Sequence, residues 1–221
     1  LMVDPVLAED GHTYERTAIE KWLSANSTSP LDPSCSIDAS QLRPNRMAKE
    51  QIEELVESGE LDDELSAGYL QRKHLLSPEH AQELYDEGKV EEAAELGHAE
   101  AQGKMANRYY FGSDGVTKDL EKCVEWAKKA AAGGDKMGQF RLGYAYHMGK
   151  GGPAKDWALA LKWYEKAAEQ GHAPSMTNIG FLYDEGGHGV TENLATAMSW
   201  YRKAAEAGNA LGQCNLALCY Y

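Results

Sequence analysis

Residues 168–208 read AEQGHAPSMTNIGFLYDEGGHGVTENLATAMSWYRKAAEAG, and the same pattern recurs 37 positions upstream and again before that. Gly97, Gly134, Gly171 and Gly208 keep the step of 37. So do Trp126, Trp163 and Trp200, and Tyr109, Tyr146, Tyr183 and Tyr220. Gly112, Gly149 and Gly186 follow it, as do the Lys-Ala-Ala triplets that begin at Lys129, Lys166 and Lys203. A period of about 20 to 50 residues marks stacked supersecondary units.

The residues say what each unit is. Asp119, Asp156 and Asn193 share one repeat position, and each is a residue type that caps a helix. The helix that follows carries the Trp, ends in small Ala residues and stops at a Gly that supplies positive φ. The other helix of each unit runs from about His98 to Phe111 and its equivalents. Glycines such as Gly112 and Gly115 make the turn between the two. This predicts three complete two-helix units and the first helix of a fourth. Trp126, Trp163 and Trp200 recur with the fold and read as stacking core. Cys123 stands where Ala160 and Ala197 stand and reads as a small packing residue. His98 and His172 occupy a turn position shared with Asp135 and Asn209. His147 and His188 share no repeat position and have no evident partner.

Upstream, Ser77-Pro78 opens a helix with a capping Ser and Pro at the first helical position. That helix stops near Gly88, and a short partner runs from Val90 to Leu96, giving a helical hairpin over 77–96. Residues 61–76 carry GELDDEL-type acidity and read as an acidic linker with helical turns near Leu65 to Leu70. Residues 1–60 form a separate small unit. Asp10-Gly11 is a turn signal between two extended runs. A helix over Thr13 to Leu23 is predicted, capped by Thr13, with Ile19, Trp22 and Leu23 on one face. Ser24 to Ser40 is loop. Asn45 caps a second helix whose stripe is Ala48, Ile52, Leu55 and Val56, stopped by Gly59.

The 221 residues carry a formal charge of −13. Such acidity argues against a nucleic-acid or anionic-membrane surface. No apolar run is long enough to span a bilayer. The first residue is not Met and Tyr221 falls inside a periodic pattern, so the chain reads as a piece of a longer one. Cys35, Cys123, Cys214 and Cys219 show no disulfide framework, which points to a reducing compartment inside the cell, cytoplasmic or nuclear.

The pattern over 97–221 resembles the Sel-1-like repeat, a longer cousin of the tetratricopeptide repeat, with units 97–133, 134–170 and 171–207 and a partial 208–221. The resemblance implies an all-α right-handed superhelical solenoid that binds other proteins and has no chemistry of its own. The stretch DPVLAEDGHTYERTAIEKWLSANSTSPLDPS from Asp4, with QLRPN at 41–45, resembles the U-box, a small α+β relative of the RING domain that lacks zinc. A RING needs two zinc ions with four ligands each. Residues 1–60 offer only His12 and Cys35, so neither a metal nor a cofactor is expected. The U-box keeps its shape with polar links, and Asp4, Thr13, Glu15, Arg16 and Asn45 are the groups available for them.

The U-box resemblance implies a ubiquitin-protein ligase. Such a protein holds a ubiquitin-loaded conjugating enzyme beside a substrate, with no covalent ubiquitin on its own chain and no catalytic residue. It places Trp22, Pro30, Leu31 and Met2 on the surface that grips the conjugating enzyme. Trp22 reads equally well as core, beside Ile19 and Leu23, and Pro30 as an ordinary loop proline. Two departures bear on activity. The family's apolar first-loop contact would lie before Leu1, and the basic residue after the second-loop contact is replaced by Pro33 or Ser34. The alternative is an interaction scaffold with an inactive U-box.

Overall fold

The computed structural model describes residues 2, 4–8, 12–28, 30–31, 34–58 and 63–220. They fall into two compact units, Leu1–Ser77 and Pro78–Tyr221.

In the first unit, β1 (Pro5–Leu7) lies between β2 (Thr13–Glu15) and β3 (Arg43–Pro44), both antiparallel to it. Val6 faces Tyr14 on one side and Pro44 on the other. Helix α1 spans Arg16–Leu23 and α2 spans Arg46–Glu57, with a 3₁₀ turn at Ala39–Gln41. The core is Val6, Ala8, Ile19, Ile37 and Leu42, with Tyr14 and Leu23 packed on it.

The first helix therefore starts three residues later than its sequence suggested. Thr13 is a good capping residue, but it is taken into β2 opposite Leu7. The helix start is met from elsewhere: the Arg16 amide donates to the Asp4 carbonyl at 2.9 Å. Asn45 does cap α2, its Oδ1 accepting from the Ala48 amide at 3.1 Å. The Asp10-Gly11 turn and the Gly59 stop lie outside the described residues. Residues 61–76 are not a plain linker, because helix α3 runs over Asp63–Leu75. Tyr69 on it is buried, and Lys73 Nζ and Tyr69 OH both reach Glu53 Oε1 of α2, at 2.7 and 3.4 Å.

The second unit is helical throughout its described residues. A hairpin of α4 (Pro78–Asp86) and α5 (Val90–Glu95) leads into α6 (Ala99–Phe111), α7 (Leu120–Ala132), α8 (Lys136–Met148), α9 (Trp157–Glu169), α10 (Ala173–Glu185), α11 (Leu194–Glu206) and α12 (Ala210–Leu218). Each helix packs on the next in chain order.

The 37-residue period has a physical cause at each conserved step. The amides of Asp119, Asp156 and Asn193 donate to the carbonyls of Tyr109, Tyr146 and Tyr183, closing each inter-helix loop at 2.7–2.9 Å. The same three side chains cap α7, α9 and α11. Gly97, Gly134, Gly171 and Gly208 all take positive φ, between 78° and 95°.

The recurring tryptophans pack on the core clusters, as their recurrence suggested, but none is fully buried. Trp126, Trp163 and Trp200 are half-buried, each with the ammonium of Lys129, Lys166 or Lys203 over its ring at 4.1–4.4 Å. The fully buried aromatics are the next residues along, Tyr164 and Tyr201. Each rests against a mid-helix glycine of the preceding helix, Gly143 or Gly180, where a Cβ would stand 2.6–2.9 Å from the tyrosine ring. One unit earlier the matching positions are Ala106 and Ala127, both buried.

Candidate functional site

In the first unit the five polar residues singled out from sequence form two links. Arg16 Nε donates to Asp4 Oδ2 at 2.6 Å, and the Asp4 amide donates to Glu15 Oε1 at 3.2 Å. The Asp4 hydrogen bond raises the Arg16 pKa further above its ordinary value, the mark of a charge-assisted bond. Across the sheet, Asn45 Nδ2 donates to Thr13 Oγ1 at 2.8 Å, and the Asn45 amide to the Pro5 carbonyl at 2.7 Å. The first link ties the start of α1 to β1, and the second ties the start of α2 to both β1 and β2. Neither requires a metal.

These links hold up a partly apolar rim. Trp22 stays outside the core and is 41% exposed. Its indole Nε1 donates to the Thr28 carbonyl at 2.8 Å, which fixes the ring at the end of α1 against the beginning of the following loop. Two residues on is half-buried Pro30, and three on is Leu31, which is 62% exposed. The loop is braced further along, where Thr28 bridges to Ser36 and the Ile37 amide donates to the Ser27 carbonyl at 3.1 Å. Met2 is half-buried ahead of β1. Of the two positions considered for a basic second-loop residue, Ser34 is exposed and Pro33 lies outside the described residues.

In the repeats, His98, His172, His147 and His188 make contacts within the fold. His98 Nδ1 accepts from the Ala101 amide and caps α6, as Asp135 and Asn209 cap α8 and α12. His172 holds Ser175 Oγ at 2.9 Å. His147, without an evident partner in the sequence, has several: its carbonyl accepts from Trp157 Nε1, its ring nitrogen lies 3.4 Å from the Tyr164 hydroxyl, and Phe181 packs on it. His188 lies against Trp157. Burial pushes the Cys123 thiol up to about 11, so it stays protonated and unreactive at neutral pH.

The U-box domain family model matches residues 1–60, and the Sel1 repeat model matches 99–135, 136–172 and 173–209. The chain belongs to the Sel1 repeat family and carries a U-box at its start. Over the U-box it is 48% identical, across 50 residues, to WD repeat, SAM and U-box domain-containing protein 1 of Danio rerio, covering 22% of this chain and 10% of that protein. Human WD repeat, SAM and U-box domain-containing protein 1 matches over 59 residues at 41%, or 26% and 12% of the two chains. The match thus spans about a tenth of those relatives.

The Sel1 repeats resemble solved structures. A protective antigen of uropathogenic Escherichia coli with an SLR fold aligns at a TM-score of 0.58 and 33% identity, over 70% of this chain and 35% of that one. A Sel1 repeat protein from Oxalobacter formigenes aligns at 0.51 and 36%, over 65% and 59%. Among the described residues no helix is long and apolar enough to cross a membrane.

Proposed function

We propose that this protein is a U-box ubiquitin-protein ligase whose Sel1 repeats recruit a substrate or adaptor. The observation that carries the reading is the pinned, exposed Trp22 beside the loop of Pro30 and Leu31. A rigid aromatic next to a proline costs little entropy to bury and suits an anchor for a partner. The chemistry belongs to the other molecules. The substrate lysine attacks the ubiquitin thioester, and the conjugating enzyme's cysteine leaves as its thiol. This chain supplies proximity and orientation, which can be worth many orders of magnitude in rate. Free thiols at Cys35, Cys123, Cys214 and Cys219 suit a reducing compartment, the cytoplasm or nucleus.

A scaffold with a silent U-box is favoured by one sequence observation, the absence of a basic residue at Pro33 and Ser34. The test is autoubiquitination across a panel of conjugating enzymes. Ubiquitin conjugates that depend on Trp22 support the ligase. No conjugates with any enzyme, from a chain folded by circular dichroism, leave the scaffold reading.

A further inference from the structure

Arg141, on α8, is 7% exposed. Its Nε donates to Asn107 Oδ1 of α6 at 2.6 Å, and its guanidinium carbon lies 3.9 Å from the centre of the Tyr110 ring. Those contacts use one of the five N–H groups that a guanidinium carries. Among the described residues no carboxylate pairs with Arg141, and no enclosed side-chain nitrogen is left without a partner. The guanidinium also lies 4.9 and 5.3 Å from the Phe111 and Phe140 rings, and Arg141 lines a cleft of about 70 Å³. Tyr110, Lys118, Cys123, Arg141, Tyr144 and Lys150 line it, with a few aliphatic neighbours and no carboxylate. Three cations converge there in a chain whose formal charge is −13.

The repeat offers an internal control. The positions equivalent to Arg141 hold Lys104, Asn178 and Asn215. Those equivalent to Lys150 hold Ser113 and Gly187, and Lys118 is matched by Lys155 and then Glu192. The fold closes without this triad in the other units, so packing does not demand it. A desolvated guanidinium without a counter-charge is costly, and an anion seated against it recovers that cost.

We propose that the cleft between α6, α7 and α8 binds an oxyanion presented by a protein partner, a carboxylate or a phosphoryl group. The planar fork of Arg141 matches either group through two parallel N–H···O bonds. Lys118 and Lys150, both exposed, add attraction at the mouth. The cleft admits the end of a side chain or of a chain, not a nucleotide or other large cofactor. The neutral Cys123 thiol adds no opposing charge. The inference rests on the reading of the repeats as the recruiting half. Its measurement needs no conjugating enzyme, so failure here and failure of ubiquitin transfer are read separately.

The experiment titrates the full chain by calorimetry with four probes: a neutral Gly-Ser peptide with a free C-terminal carboxylate, the same peptide amidated, an amidated version with one phosphoserine, and inorganic phosphate alone. The expected result is binding of the carboxylate or the phosphoserine peptide and none of the amidated neutral one. The tighter of the two identifies the source of the oxyanion. Lys118→Glu and Lys150→Glu, at exposed positions that leave the fold intact by circular dichroism, each weaken that binding by about tenfold. Arg141→Lys keeps the charge but loses the fork, and weakens it by at least about as much. Equal binding of charged and neutral peptides, no binding at all, or binding untouched by both charge reversals overturns the proposal. Inorganic phosphate binding as tightly as the better peptide overturns its assignment to a protein partner.

Discussion

Replacing Gly180 by Ala sets two known effects against each other. In a helix interior the change gains about 0.8–1.0 kcal/mol from propensity alone. Gly180 lies in the middle of α10, but its added Cβ would stand 2.6 Å from Cδ1 and Cε1 of Tyr201 and 3.2 Å from the Ala197 carbonyl. Carbon atoms rest at about 3.5–4.0 Å, so the ring would have to shift by about 1 Å. Its movement is opposed: Tyr201 is 1% exposed and its hydroxyl donates to Asp184 Oδ2 at 3.2 Å. Overpacking of this kind costs about 1–3 kcal/mol, and the carbonyl contact adds to it, so the net effect is a loss of about 1–2 kcal/mol. Tyr201→Ala alone costs about 3–5 kcal/mol. In that background the obstacle is gone, the pair becomes Ala opposite Ala as in Ala106 and Ala127, and Gly180→Ala turns stabilising by about 1 kcal/mol. The coupling is then about 2–3 kcal/mol. Urea unfolding of the four full-length proteins, followed by helical circular dichroism, measures it. A raised midpoint for Gly180→Ala alone, or a coupling of zero, refutes the reasoning.

The neighbouring aromatics should differ in the same assay: Tyr164→Ala costs about 3–5 kcal/mol, whereas partly buried Trp163→Ala costs about 2, and the reverse order contradicts the burial argument. Trp22→Ala should weaken conjugating-enzyme binding by about tenfold or more with little change in melting, since the ring stands outside the core; Pro30→Ala, acting mainly through chain entropy of about 0.4–1 kcal/mol, should stay folded and lose transfer, and full activity removes Pro30 from the surface. Chelators should leave the circular dichroism of the U-box unchanged, whereas Asn45→Ala, which removes a cap and the link to Thr13, costs about 1–2 kcal/mol; unfolding on chelation points to a metal instead. Burial, with Lys136 and Arg141 nearby, pushes the His172 pKa down to about 4 from 6.5, so its neutral form stabilises the fold above pH 6.5 and that contribution drains away as pH falls toward 4; His172→Asn should flatten this acid limb, and an unchanged limb assigns it to other groups.

The solenoid was legible because its signals are local and repeated. Caps at Asp119, Asp156 and Asn193 and stops at Gly134, Gly171 and Gly208 act within a few residues of themselves. Recurrence placed the tryptophans on the core but did not rank their burial. Trp163 recurs because it seals the seam between units under Lys166, whereas the fully buried ring is Tyr164. The signal was present: Gly143 and Gly180 break the helix-propensity rule at a step of 37, and the buried Tyr appears only in the units that contain them. The misplaced start of α1 has a different cause. Thr13 suits a cap or a strand, and only pairing with Leu7 and the Asp4 carbonyl, both distant in sequence, decide between them. In the same way the acidity at 57–64 hid α3, whose hold on the unit is Tyr69 and Lys73 meeting Glu53.

Arg141 was invisible to the same reading for an instructive reason. Periodicity reveals what the fold requires, because a stacking solution that works once is reused. A residue kept for a partner has no reason to recur, so it registers only as noise in the repeat. The structure separates the two kinds of departure. Cys123 breaks the Ala160 and Ala197 pattern but fills the same buried space, so its departure is neutral. Arg141 breaks the pattern by bringing a charge into a nearly buried place where Lys104 is exposed and Asn178 and Asn215 are uncharged. Its one side-chain hydrogen bond goes to Asn107, and it lines a cleft. A departure that costs free energy in the isolated chain is the kind that a bound partner would offset.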